Sequence, residues 1–229
     1  MQIERIAVHE TNCYLLRGER GTILVDPGPP RGVALVTGGA AAAGIAPAEI
    51  RLILVTHGHL DHFGGVADVK AWCGAPVAAY HAEPAFTQVR RNVLPPGQTL
   101  RGDAIRWIYR LLAPVVPYTP LAADVLLDEG ADLSAFGVEA QAWHIPGHAP
   151  GSLAVITREG DALVGDLFVN YTLPSRPMYV SDRRAWQQSY RRLQALKPRM
   201  VYVGHGEPFP GEKLEHIYPA RYQFRWWVW

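Results

Sequence analysis

Short runs of alternating or continuous apolar residues, closed by glycine and proline, dominate the chain. Residues 3–8, 13–17 and 22–25 are rich in β-branched and aliphatic side chains and predict three strands, with a hairpin turn at 18–21. The third ends abruptly at Asp26-Pro-Gly-Pro-Pro. An alanine-rich stretch, 32–44, predicts a helix, and the aliphatic run 52–55 predicts a strand buried on both faces. A helix capped by Asp61 is expected to run to Cys73, followed by a strand at 77–80. Strand patterns return at 138–145, 152–157, 162–165 and 200–203. A basic amphipathic helix falls at 183–196. The order of elements predicts an α/β (α+β) fold with two sheets face to face and helices outside.

Residues 84–120 break this rhythm. They are helical and aromatic in pattern, are interrupted by Pro95-Pro96-Gly97, and carry Arg90, Arg91, Arg101, Arg106 and Arg110 against one acid, Asp103. This predicts an inserted helical cap within a single domain of residues 1–229. Trp107, Tyr109, Leu111, Leu112, Val115, Val116 and Tyr118 are candidates to line it, with Arg176 favouring an anionic ligand.

Composition narrows the function. A net charge of +1 gives no bulk attraction for nucleic acid, and the longest stretch free of charge and histidine, 32–48, is too broken to span a membrane. No basic and apolar leader opens the chain, so a cytoplasmic protein acting on a small molecule is expected, with no membrane partner. Cys13 and Cys73, the two cysteines, exclude a disulfide scaffold and a four-cysteine zinc site. The terminal Trp226, Trp227 and Trp229 are candidates to dock on the body or on a second subunit of a homodimer.

Nine histidines remain to be explained, and five of them stand just after strands. His57, His59, Asp61 and His62 fall within six residues. His148 lies in Pro-Gly-His-Ala-Pro-Gly-Ser, Asp166 ends Ala-Leu-Val-Gly-Asp, and His205 follows Val-Tyr-Val-Gly. Two histidines spaced two apart at a strand end project to one side, and Gly58 lets the backbone wrap closely. Imidazole and carboxylate suit zinc, and also iron or manganese. His9, His81, His144 and His216 fit no ligand pattern.

His-x-His-x-Asp-His followed in order by His, Asp and His resembles the metallo-β-lactamase-fold hydrolase superfamily, over residues 12–206. The resemblance implies a four-layer αβ/βα sandwich with its site at one edge. It implies a first metal on His57, His59 and His148, a second on Asp61, His62 and His205, and Asp166 bridging them. Asp26 is implied as a carboxylate that orients a ligand imidazole. Two ions hold a bridging hydroxide, acidic enough to form near neutral pH, so the implied reaction is cleavage of an ester, thioester or lactone, with Asp61 helping to place the nucleophile.

Residues 56–65, 146–152 and 165–168 are most similar to the glyoxalase II-like branch. Val169-Asn170-Tyr171 stands where that branch has Cys-Gly-Arg, and only residues 206–229 follow His205. A glutathione thioester is therefore not the expected substrate. Acyl-homoserine lactonases carry a tyrosine three residues after the bridging aspartate; here that position is Val169, with Tyr171 nearby. A lactonase or β-lactamase-like hydrolase is the alternative, and a mononuclear iron persulfide dioxygenase-like oxidoreductase the alternative of another class. Metal content and oxygen uptake separate them.

Overall fold

β1 (Gln2–Val8) and β2 (Thr11–Arg17) form an antiparallel hairpin, and β3 (Thr22–Val25) adds antiparallel to β2. Gly18 N–H donates to Gly21 O at 2.9 Å to close the predicted turn between them. The computed structural model describes residues 1–81, 94–95, 97, 99–112 and 116–218. Arg90, Arg91, Val115, Trp226, Trp227, Trp229 and the side chain of Arg101 lie outside the described residues, as does the start of the expected insertion.

Helix α1 (Val33–Ala42) leads to β4 (Ile50–Leu54), parallel to β3. The short α2 (Leu60–Phe63) and α3 (Val66–Cys73) then return the chain to β5 (Val77–Tyr80), parallel to β4. The single helix expected up to Cys73 is thus broken at Gly64-Gly65. A Cβ on Gly64 would collide with Pro30 and with the Leu60 carbonyl, so the chain passes too closely for a regular helix. Nor does Asp61 cap it: His59 precedes α2, and Asp61 lies inside its first turn. Helix α4 (Leu100–Leu112) follows, and β6 (Val125–Leu127) completes a six-stranded sheet in the order β1-β2-β3-β4-β5-β6.

The second sheet runs β7 (Ala131–Asp132), β8 (Ala140–His144), β9 (Leu153–Thr157), β10 (Ala162–Leu163), β11 (Met200–Tyr202) and β12 (Phe209–Pro210), in that spatial order. Its one parallel pair, β10–β11, is joined through α5 (Arg183–Leu196). Asp182 caps α5, accepting from Arg184 N–H and Ala185 N–H at 2.8 and 3.0 Å. Trp186, Ser189 and Leu193, at helical spacing, are its buried stripe.

Strand alternation builds the layers. Tyr14, Leu16, Ile23, Val25, Leu52 and Leu54 turn inward and meet Ala142, Leu153, Val155 and Leu163 of the second sheet. Their neighbours Leu15, Leu24 and Ile53 face α1 and α3. Ala154, Ile156 and Ala162 face Trp186 and Leu193 of α5. The central strands of both sheets are buried on both faces, giving the four-layer helix–sheet–sheet–helix sandwich that the resemblance implies. No helix among the described residues is long and apolar enough to cross a membrane.

Candidate metal centre

The loops that leave β4, β8, β10 and β11 all open on one rim of the sandwich. They bring together His57, His59, Asp61, His62, His148, Asp166 and His205. Three groups of side chains in this cluster have ligand atoms within 4.8 Å of one another: His57, His59 and His148; His57, His62 and Asp166; and Asp61, His62 and His205. Ligands commonly gather at the carboxyl ends of parallel strands, where the chain can turn toward them.

Four of the five rings are held from behind. His62 Nδ1 lies 2.9 Å from Asp26 Oδ2, His148 Nδ1 2.8 Å from Tyr179 O, and His205 Nδ1 2.7 Å from Glu10 O. His57 Nδ1 lies 3.0 Å from Thr56 Oγ1, which itself donates to Asp26 Oδ2 at 2.8 Å. With Nδ1–H donating outward, Nε2 of these four rings faces the centre, the orientation that metal ligation requires once Nε2 is deprotonated. His59 alone presents Nδ1, 3.1 Å from His57 Nε2 and 2.9 Å from His148 Nε2. His62 Nε2 and His205 Nε2 stand 3.3 Å apart. Asp166 Oδ1 is buried without a hydrogen bond. Converging nitrogens beside an unpaired carboxylate oxygen fit a divalent cation.

The backbone approaches as closely as the side chains. A Cβ on Gly204 would strike Asp166 and His62, and one on Gly165, at φ +48°, would come within 2.7 Å of Thr56 Oγ1. Asn12 ties the His205 loop to the first sheet, its amide donating to Val203 O at 2.8 Å and Gly206 O at 2.7 Å.

Burial, then the neighbouring His62, His59 and His148, hold His57 well below the ordinary imidazole range. Burial and His148 bring His59 down to about 3, and burial outweighs Asp166 to lower His148. These three are neutral. Burial also works against charge on His62, but Asp166, Asp61 and Asp26 outweigh it and carry the ring up to about 10. His205 rises for the same reason, with Asp166 foremost among the groups opposing its burial. Burial disfavours ionising Asp61 and Asp166, yet His62 and His205 keep both below the usual carboxylate range. Without metal, therefore, two protons occupy the Asp61–His62–His205 side at neutral pH. Metal must displace them, so uptake at pH 7 is expected to release protons, and apparent affinity to rise with pH toward about 10. Calorimetry in buffers of different ionisation enthalpy measures this; no proton release and a flat affinity between about pH 6 and 9 would contradict it.

A cavity of about 740 Å³ stands over the cluster. Its wall includes Glu10, Pro29, Arg31, Ile105, Tyr109 and Tyr171. Tyr109 and Tyr171 thus reach the space above the cluster, and so does Val116. Trp107 does not: it is 61% exposed, on the outer face of α4, and Leu111 and Leu112 are exposed with it. Tyr118 packs instead against Phe63, with ring centroids 5.7 Å apart. Arg176 is also outside the wall; its guanidinium lies over the Trp186 ring at 5.9 Å. His81 faces Asp128 at 2.8 Å, and His144 stacks on Tyr80 at 4.0 Å, both away from the cluster. Thr56, Tyr179 and Glu10 were not candidates in the sequence. Thr56 adjoins His57 and was open to notice, whereas Tyr179 and Glu10 act through main-chain carbonyls, which leave no mark in residue type.

Two six-stranded sheets between helices, with a His/Asp divalent-metal site on one rim, define the class of protein. A family model of the metallo-beta-lactamase superfamily matches residues 6–205, and the chain belongs to that superfamily. Among curated relatives, the probable metallo-hydrolase YflN of Bacillus subtilis is 24% identical, the alignment covering 93% of this chain and 86% of YflN. A hydroxyacylglutathione hydrolase of Anaeromyxobacter dehalogenans is 33% identical over 67% of this chain, which spans only 44% of that relative. Among solved structures, TTHA1623 in a di-iron-bound form is 27% identical with a TM-score of 0.67, over 94% of this chain and 98% of that one.

Proposed function

We propose that the chain is a metal-dependent hydrolase that binds two divalent ions, zinc in the first place, and cleaves an ester, thioester or lactone. The position of Asp166 carries this reading: its Oδ2 lies 3.6 Å from His148 Nε2 and 3.3 Å from His205 Nε2, between two trios of ligand-type groups. His57, His59 and His148 would hold one ion, Asp61, His62 and His205 the other, and Asp166 both. When bound, such ions supply Lewis acidity and a water acidified toward neutral pH.

The chain's own groups do the rest. Asp61 and Asp166 bring negative charge against two cations that would otherwise repel. Asp26, Thr56 and the Glu10 and Tyr179 carbonyls keep four rings in one tautomer. Among the described residues, no serine or cysteine side chain lines the cavity. The names of the relatives support hydrolysis, and the di-iron form of TTHA1623 supports a pair of ions with iron as the competing metal.

Elemental analysis of metal-saturated protein is expected to give two ions per chain. Assays on thioesters, lactones, aryl esters, phosphodiesters and β-lactams are expected to show turnover of a carboxylic acyl compound that a chelator abolishes. A single ion with Asp61, His62 and His205 unliganded in anomalous maps overturns the dinuclear reading. Oxygen uptake in place of hydrolysis overturns the hydrolase.

A further inference from the structure

Ile105 and Tyr109 stand one turn apart on α4 and both enter the cavity wall. The Tyr109 hydroxyl is buried, and among the described residues its O–H finds no acceptor. Buried tyrosines generally find a partner, because an unpaired buried donor costs about 1–3 kcal/mol. Burial first, and the Asp61 carboxylate next, push this phenol up, against the nearby Leu60 backbone, so it stays protonated and able to donate. It is a donor without an acceptor, and it lines the same cavity as Asp61, a proposed metal ligand.

The wall around it limits what the acceptor belongs to. Pro29, Leu60, Leu94, Val116, Val169 and Met178 give it an apolar surface. Among the described residues outside the metal cluster, two charged side chains line it, Glu10 and Arg31, and they are of opposite sign. A ligand with several carboxylates would meet one guanidinium and one carboxylate, and would lose its hydration to a surface that returns little. An uncharged ligand of mainly apolar surface loses nothing comparable and gains burial.

We propose that Tyr109 is the specificity-determining hydrogen-bond donor of the cavity. The substrate is an uncharged, largely apolar acyl compound that places a carbonyl, ether or hydroxyl oxygen against it on the Asp61 side. The inference rests on the hydrolase reading for the bond that is cleaved, but its binding component can be measured without turnover. Y109F keeps the ring and the shape of the wall and removes only the donor.

The test uses zinc-loaded wild type and Y109F, matched in metal content and circular dichroism. Binding of the neutral amide N-phenylbutanamide, of pentylbenzene and of the anionic S-hexylglutathione is measured by calorimetry, and turnover with 4-nitrophenyl butanoate. The amide is expected to bind wild type in preference to the hydrocarbon, and that preference to shrink about tenfold in Y109F, the size of one hydrogen bond. The kcat/KM on the ester should fall by a similar factor, with S-hexylglutathione weaker than the amide in both proteins. An unchanged amide preference in Y109F overturns the donor. Tighter binding of S-hexylglutathione overturns the substrate class. Binding as expected with no hydrolysis of any acyl compound defeats the hydrolase reading alone; turnover with Y109F equal to wild type defeats the donor alone.

Discussion

Asp166→Ala is expected to lower turnover by at least about a thousandfold, the scale on which groups acting directly at a reaction centre are lost, and to leave at most one tightly held ion per chain. Asp166 reaches both trios of ligand-type groups, with His62 Nε2 3.4 Å from Oδ1 and His148 and His205 at 3.6 and 3.3 Å from Oδ2. Its removal would leave the two proposed cations facing each other with no negative charge between them. Asp61 lies near one trio only, 3.8 Å from His62 Nε2 and 3.2 Å from His205 Nε2. Asp61→Ala is therefore expected to be the milder change, a loss on the order of a hundredfold. Turnover, elemental analysis and circular dichroism are compared for both. Asp166→Ala retaining two ions and turnover within about tenfold of wild type would refute the bridging role.

The second large effect falls on stability. Asp26 is buried at the end of β3 in a left-handed conformation, φ +55°. Its oxygens accept from Thr56 N–H at 2.7 Å and Thr56 Oγ1–H at 2.8 Å, and face His62 Nδ1 at 2.9 Å. Alanine would strand a buried N–H, a hydroxyl and an imidazole together, and would carry a Cβ in a backbone region that suits asparagine and aspartate better. Breaking a buried pair of this kind costs about 3–5 kcal/mol, which for a chain of this size lowers Tm by roughly 6–20 °C. Metal affinity should weaken by about 10- to 100-fold, since a ligand ring loses its support. Asp26→Asn, which keeps one acceptor and tolerates the backbone, should fall between. Thermal unfolding of the metal-free protein and competition with a chelator measure the two effects; an unchanged Tm together with unchanged affinity would make Asp26 a plain turn residue.

The ligand cluster was legible because each member follows an apolar strand and adjoins or nearly adjoins a glycine or proline, a local pattern that survives without knowledge of the packing. The cavity wall was legible only in part. Trp107 and Tyr109 are both large and aromatic, but on a helix two positions separate them by about 200°, so only one can face inward. Composition singled out both, and the orientation of α4 decides between them. Arg176 lies over Trp186, ten residues on, because the packing of α5 brings that ring back to it, which residue type alone does not reveal. Strands β6, β7 and β12 have two or three residues, too few for alternation to register. Asp61 was read as a cap because aspartate before an apolar run commonly is one. Here the turn begins two residues earlier, and its carboxylate is placed toward the histidines.

The loops that supply the ligand-type groups hang from different sheets. His57, His59, Asp61 and His62 follow β4, while His148, Asp166 and His205 follow β8, β10 and β11. Each trio draws on both. The filling between the sheets is mainly apolar and without direction, and the directional ties between them, such as Tyr14 Oη–H to Val203 O at 2.7 Å and the Asn12 amide to Gly206 O at 2.7 Å, gather near this rim. A pair of ions on the rim would act as a rivet through both slabs. The cavity is built the same way, with Pro29 to Arg31 on one side and Val169 to Tyr179 on the other. Its width would then follow the rivet beneath it. Metal occupancy and substrate selection would become a single mechanical property, and an ion of different radius would resize the mouth as well as change the chemistry at its floor.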